Sequence, residues 1–554
     1  MDFDPEGSRL PIKVDTATNG EFEPRPLTRL QQAANTLARE RVGTAAKKTG
    51  LDRRSFLKSL MGSAATLLAF NEVHAASGLT GGTYAIPADA AHDPEIARLA
   101  LAGDEFILDI QTHCVDPSAA WAKGADGERW ERVLNQVFSQ RRKCEDGGYA
   151  CYSAEQLVKE VFLDSDTDVA VVSALWGARG SNPTPIEYAD EARAIITTLG
   201  GNHRALIHGG VLPNEPGALD YMKVQAREFN VAAWKIYPQW GPNGVGYWMD
   251  DEQYGIPFIE RARELGVKVI CAHRGIPLGG LEYEYSHPAD IARAARRYPD
   301  VNFICYHSGF EPGIAEGPYD PDAEMGVDRL IRAHQENGFG PNSGNLYAEL
   351  GSTWRACMSK PGQAAHLLGK LLRYFGEERI CWGTDSLWYG SPQDQIQALR
   401  SFEISAPFQE QYGYPPLTRQ ARQRIFGLNA AGAYGLDLGK LQQTGGTDRL
   451  TQLKAAYRHA PNPSFQTFGP KTRREFLRLQ NPDGLPVGGL SPEYPRGRFQ
   501  SAEPDCLRAP ATPIPAGVML WCCVRLPVEQ RKTSPQAPSR VPVSPQNCAQ
   551  PGKT

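Results

Sequence analysis

FILDIQTH, residues 106–113, decides how the rest of the chain reads: a short apolar run that ends on an imidazole. Three more runs share its design, namely VKVICAH (267–273), VNFICYH (301–307) and RICWGTD (379–385). Each ends on a side chain that can hold a metal or move a proton, giving His113, His273, His307 and Asp385. Four others complete the rhythm: DVAVVSALW (168–176), RALIHGGVL (204–212), VAAWKIY (231–237) and NLYAELGS (345–352). Near-continuous apolar runs rich in Val, Ile, Phe and Tyr are what strands covered on both faces require.

Between these runs lie segments with helical spacing. They are AEQLVKEVF (154–162), EYADEARAIITTL (187–199), ALDYMKVQAREF (218–229) and FIERARELG (258–266). They continue as ADIARAARRY (289–298), VDRLIRAHQENG (327–338), AAHLLGKLLRYFG (364–376) and DQIQALRSFEI (394–404). Gly266 and Gly376 stand where C-cap glycines belong. Strict alternation implies a parallel sheet with right-handed crossovers, and eight units close as a (β/α)8 TIM barrel over 104–440. The structural rival is an open doubly wound sheet. It would gather the four residues less easily, and no GxGxxG follows the first strand.

Outside the barrel, residues 1–50 read as a polar disordered segment and 78–100 as a linker. Residues 418–434 read as a helix closing the barrel and 441–479 as a helical extension. The Pro- and Ser-rich residues 480–554 read as a disordered tail. Residues 51–77 contain Arg53-Arg54-Ser55-Phe56-Leu57-Lys58, an apolar stretch from Leu60 to Phe70, and Val73-His74-Ala75. That order resembles a twin-arginine signal, which predicts the export machinery as a partner and a periplasmic address. The alternative is an amphipathic surface helix with a chance arginine pair. The apolar run falls short of the roughly 20 residues a membrane span needs.

Composition narrows the function classes. A net charge of −4 with 22% charged residues gives no electrostatic case for nucleic acid or a polybasic membrane patch. The 11 cysteines form no CxxC pair, so they define no structural zinc site. Cys144 and Cys151 flank a short loop and would form a disulfide in an exported protein, or remain free thiols otherwise.

Four chemistry-bearing residues ending four parallel strands, among 11 histidines, point to one site at the C-terminal mouth of a barrel. Asp109, Gln111 and His113 are spaced by two and so share a strand face. Asp385 could bind a divalent ion through one oxygen and take the proton of its water through the other. Such an ion lowers that water's pKa to around 7. The plainer readings are an N-cap role for Asp385 and hydrogen bonding at the mouth for His273 and His307.

On DIQTH (109–113), CAHRG (271–275), CYHSG (305–309), WGTDS (382–386) and RIFGLNAAGAYGL (424–436), the chain resembles the amidohydrolase superfamily over roughly 104–436. The similar branch includes aromatic-acid decarboxylases and lactonases. The resemblance implies metal ligation by His113, His273 and Asp385, with His307 as the acid/base or electrophilic residue. It implies zinc, or manganese in its place, and a small-molecule substrate, and it is compatible with a homo-oligomer. Gln111 occupies the first ligand position, where the family carries His or Glu; a neutral amide is a poorer donor. Lys235 ends the fourth strand, where binuclear relatives carry a carboxylated lysine; here a substrate-facing cation is expected. Arg274 and Arg355 could bind a substrate carboxylate or form salt bridges. Trp388 and Tyr389, with Trp176, Tyr237 and Trp354, could line an aromatic pocket or pack the loops. Glu349 reads as an interior hydrogen-bonding group.

Two reactions use this constellation: hydrolysis of an amide, ester or lactone, and non-oxidative decarboxylation of an aromatic acid. A non-catalytic binding barrel is the third reading, supported by Gln111.

Overall fold

Eight parallel strands run in sequential order around the centre of the molecule. They are β2 (Leu108–Thr112), β3 (Val169–Val172), β4 (Ala205–Gly210) and β5 (Ala233–Ile236), followed by β6 (Val269–His273), β7 (Asn302–Tyr306), β8 (Leu346–Glu349) and β9 (Ile380–Cys381). All eight expected runs form strands. The first and last join where Ile110 N–H donates to Trp382, Asp385 N–H to Gln111, and Thr112 bridges to Ser386, which closes the barrel. The computed structural model describes residues 4–138, 148–242, 245–277 and 282–480; the expected tail beyond 480 lies outside them.

Two apolar layers follow from strand alternation. One set of strand residues, including Ile207, Trp234, Ile270, Phe303 and Leu346, packs with the surrounding helices. The other, including Val169, Val171, Cys271, Ile304 and Tyr306, fills the barrel with Ala430 and Ala431 from the closing helix. A third cluster contains Trp121, Trp130, Trp176, Tyr237, Trp240, Trp388 and Phe468, drawn from strand ends and the loops beyond them.

The N-terminal segment departs from the sequence expectation. Residues 29–49, read as disordered, form α1 (Arg29–Thr49), started by a Thr28–Gln31 capping box and stopped by Gly50 at φ 70°. Its buried face is Ala34, Ala38, Val42 and Ala45 at helical spacing. Alanine carries so little apolar surface that this periodicity does not read as amphipathic. The segment read as a twin-arginine signal forms α2 (Arg53–Lys58) and α3 (Leu60–Ala76). Phe56, Leu57, Leu67 and Ala64 are buried in the main core, and Arg54 is buried too, donating to the Pro463 carbonyl at 2.6 Å. A cleavage at Ala75 would therefore strip residues out of the packed core.

The expected linker also holds structure. β1 (Gly82–Tyr84) pairs antiparallel with β10 (Phe402–Ile404). The helix expected over 394–404 accordingly ends at Ser401, and its last residues are strand. The expected helical extension is helical only in part. Helices Arg449–Tyr457 and Arg473–Gln480 flank an irregular stretch in which Phe468 N–H donates to Trp388 at 2.9 Å. Among the described residues no helix is long and apolar enough to cross a membrane.

Candidate active site

All four strand-end residues are essentially buried, His113 at 1%, His273 and His307 at 0% and Asp385 at 2% exposure. Their backbones bend sharply where the strands stop. His307 (φ 64°), Ser308 (φ 53°), Ser352 (φ 55°) and Asp385 (φ 60°) all occupy the left-handed region, which non-glycine residues rarely adopt. Close approach continues at Gly351 and Gly383. A Cβ there would lie 2.0 Å from Gln111 Oε1 and 1.8 Å from Glu349 Oε1 respectively.

His273 and His307 face one another, His307 Nε2 lying 3.2 Å from His273 Nδ1. Each ring has its other nitrogen committed to a carbonyl. His273 Nε2 donates to Ile276 at 2.8 Å and His307 Nδ1 to Gly351 at 2.8 Å. In neutral rings those bonds leave lone pairs on both facing nitrogens, an arrangement that needs a proton or a cation between them. Burial holds both imidazoles neutral, His307 down to about 4 despite the attraction of Asp385, and His273 well below its usual value. A carboxylate completes the group: Glu21 Oε1 lies 3.9 Å from His273 Nδ1. Ligand atoms of Glu21, His273 and His307 all fall within 4.8 Å of one another. This donor set fits a divalent metal.

The remaining strand-end pair sits beside it. His113 Nε2 lies 3.1 Å from Asp385 Oδ1, and its Nδ1 donates to the Ser173 carbonyl at 2.9 Å. That nitrogen–oxygen pair also holds either a second ring proton or a shared cation. Asp385 collects three further donors: Gln111 Nε2 at 3.2 Å, Asn19 Nδ2 at 2.8 Å and Ser352 Oγ at 2.6 Å. Tyr389 O–H in turn donates to Ser352 at 2.9 Å. Burial opposes the charge on Asp385, but the His113 hydrogen bond and charge outweigh it and hold the carboxyl well below the usual range. Asn19 links the two groups, since its amide also donates to Glu21 Oε2 at 2.6 Å.

Gln111 behaves as a hydrogen-bond donor. Its Nε2 faces Asp385, while its buried Oε1 has no partner among the described residues. The face-sharing of Asp109, Gln111 and His113 is interrupted by a register shift between Asp109 and Thr112. Asp109 accepts from the backbone of Gln111 and Thr384, and burial pushes it up to about 7. Gln111 and His113 nevertheless both reach Asp385.

Lys235 is 1% exposed, and its ammonium has no hydrogen-bond acceptor among the described residues. It lies over the rings of Tyr306 at 3.8 Å and Tyr237 at 4.5 Å. Burial brings it down to about 8, against the attraction of Cys271 and Glu21. Glu349 is an interior acceptor as expected, taking the His307 N–H at 2.9 Å, and burial pushes it up to about 8. A cavity of 170 Å³ is lined by Lys235, Tyr237 and His208 together with Asn182, Glu215 and Tyr221.

Two expected substrate cations are engaged elsewhere. Arg274 is wholly buried and pairs with Asp290 at 2.6 Å, so it holds the loop rather than facing the mouth. Arg355 pairs with Asp15 at 3.0 Å. Trp388 stacks on His113 with centroids 5.8 Å apart, while Trp354 donates to Gln395 and packs against Phe402 in the main core.

Sequence reasoning missed Asn19 and Glu21. They lie in TNGEFE (18–23), a turn in which Gly20 and Glu21 N–H donate to Thr18 and Asn19 side chains. The available signal was an Asn-Gly turn, which announces a turn without a destination.

A protein-family model described as amidohydrolase matches residues 161–436. No curated protein matches the chain. Among solved structures, a TIM-barrel protein from Bordetella bronchiseptica aligns at 14% identity and TM-score 0.37, covering 62% of this chain and 99% of its own. A 2,6-dihydroxybenzoate decarboxylase aligns at 14% identity and TM-score 0.35, covering 60% and 100%. An amidohydrolase from Mycobacterium avium subsp. paratuberculosis aligns at 14% identity and TM-score 0.32, covering 61% and 100%.

Proposed function

With residues 161–436 carrying the amidohydrolase family's pattern, we propose that this chain is a metal-dependent hydrolase of that superfamily acting on a small amide, ester or lactone. The observation that carries the reading is the pair of imidazole nitrogens facing one another 3.2 Å apart at the barrel mouth, each ring's other nitrogen being bonded to a backbone carbonyl. His273 and His307 would hold the ion with His113 and Asp385 beside them, and zinc or manganese suits this nitrogen–oxygen set. When bound, the ion supplies Lewis acidity, which makes water a usable nucleophile near neutral pH and polarises a carbonyl. His307, expected as the acid/base residue, is in this reading a metal ligand through Nε2, because its Nδ1 is committed to the Gly351 carbonyl.

The chain's own residues do the rest. Asp385, kept ionised by its donors, takes a proton from the attacking water and returns it to the departing oxygen or nitrogen. Water is thereby added across the acyl bond. Lys235 aims an unpaired ammonium at a carbonyl oxygen or carboxylate of the substrate. The 170 Å³ cavity reaches Lys235 and Tyr237, which offers room beside the ammonium for part of a small substrate. Cys151 is disulfide-bonded, which supports an oxidising compartment such as the periplasm; its expected partner Cys144 lies outside the described residues.

The test is a panel of small aryl esters, lactones and amides with the full-length protein loaded with Zn2+ or Mn2+. Hydrolysis that disappears on chelation and in Asp385→Asn is the expected result. Release of CO2 from hydroxybenzoates with no hydrolysis of any ester, lactone or amide would overturn it.

A further inference from the structure

We propose that Glu21 of the N-terminal segment is a metal-binding residue that supplies the donor Gln111 withholds, so the active site is built from the barrel and the arm together. This rests on the metal reading above and extends it to a residue far outside the family-matched region.

Three observations carry it. The first is aim: Glu21 Oε2 is tied to Asn19 at 2.6 Å, while Oε1 has no hydrogen-bond donor among the described residues and faces His273 Nδ1 at 3.9 Å. One oxygen is thus fixed and the other left open beside two open imidazole nitrogens, which is how an oriented carboxylate ligand is presented. The second is the vacancy it answers. Gln111 turns its NH2 to Asp385 and leaves its oxygen against Gly351 with no partner among the described residues, so the first strand presents no second donor to the His273–His307 pair.

The third is anchorage. The arm is held to the barrel end by a series of buried and part-buried contacts on both sides of Glu21. Lys13 pairs with Asp394 at 2.9 Å, Asp15 with Arg355 at 3.0 Å, and Thr18 N–H donates to Pro470 at 3.0 Å. Asn35 of α1 donates to the Val14 carbonyl at 2.9 Å, and Gln31 to Ser359 at 2.7 Å. A segment fixed at this many points delivers its carboxylate without a large ordering cost at binding. It follows that residues 1–77 stay on the working protein, because removal at Ala75 would take Asn19 and Glu21 with it.

The experiment is a Mn2+ titration of full-length protein, free Mn2+ being counted by its EPR signal, with the parent and Glu21→Gln side by side. The expected result is binding weakened by about tenfold or more in the variant, since even outer partners of ligands cost about 10–100-fold. The metal-free variant keeps the parent's melting temperature, which separates lost ligation from lost folding. Unchanged Mn2+ affinity in Glu21→Gln, with a parent that binds, would overturn this inference alone. A parent that binds no Mn2+ or Zn2+ would overturn the metal reading beneath it. Intact mass of the metal-loaded protein should include residue 21; a chain starting after Ala75 with full Mn2+ affinity would also overturn the inference.

Discussion

The Asp15 carboxylate lies 3.0 Å from the Arg355 guanidinium, joining the N-terminal arm to the short helix Thr353–Cys357 that follows β8. Thr467 and Lys471 hold the same carboxylate, so three segments distant in sequence meet at one side chain over the barrel mouth. Replacing Arg355 by Leu leaves Asp15 with one cation fewer and loosens the arm. The expected loss is about 1–3 kcal/mol, with new protease cuts appearing in residues 10–25 and falling activity. Limited proteolysis followed by mass mapping checks it; an arm as resistant as the parent's contradicts it.

Arg274 and Asp290 are both fully buried and share two hydrogen bonds, at 2.6 and 3.1 Å. Breaking such a pair strands a charge in the interior and costs about 3–5 kcal/mol. Asp290→Ala should therefore shift urea unfolding by that amount. Folded variant at low temperature should keep the parent's KM, whereas a substrate role for Arg274 would raise it.

Lys235 sets stability against function. An ammonium buried without a hydrogen-bond acceptor is unfavourable to the fold, and two tyrosine rings offset only part of that cost. Lys235→Met should leave the melting temperature unchanged or raise it. The same variant should lower kcat/KM by roughly 30-fold or more, about 2 kcal/mol of charge pairing. Calorimetry and steady-state kinetics on one preparation test both halves.

His334 lies in the core with neither ring nitrogen hydrogen-bonded, its ring 4.0 Å from that of Phe375. Burial brings its pKa down to about 4, against about 6.5 in an unfolded chain. Between those values the unfolded state binds more protons, so stability complete above pH 6.5 is lost as pH falls toward 4. Melting temperatures across that window should fall, and His334→Phe should flatten the slope. His287, His366 and His307, also lowered to about 4 by burial, contribute to the slope that remains.

The barrel was legible because its signals are local and repeated. Eight apolar runs alternate with helical segments, and the residues that matter stand at the run ends. His113, His273, His307 and Asp385 converge because parallel strands of one barrel end on one side. Partner choice among them was not legible. The His273 tautomer is set by the carbonyl of Ile276 in its own loop, whereas that of His307 depends on the Gly351 carbonyl and the turn of the Gln111 amide on the Asp385 side chain, both distant in sequence. The arm was illegible for a different reason. Its helix buries alanines, Arg54 of its signal-like arginine pair is buried, and Glu21 gains its meaning only by docking beside His273.

Metal content of the purified full-length protein, set beside that of His273→Ala, tests the central claim most directly. The account predicts about one equivalent of zinc or manganese in the parent, loss of that metal in the variant, and hydrolytic activity that follows the metal. A parent that turns over normally with no bound metal, or a variant that keeps it in full, would contradict the account.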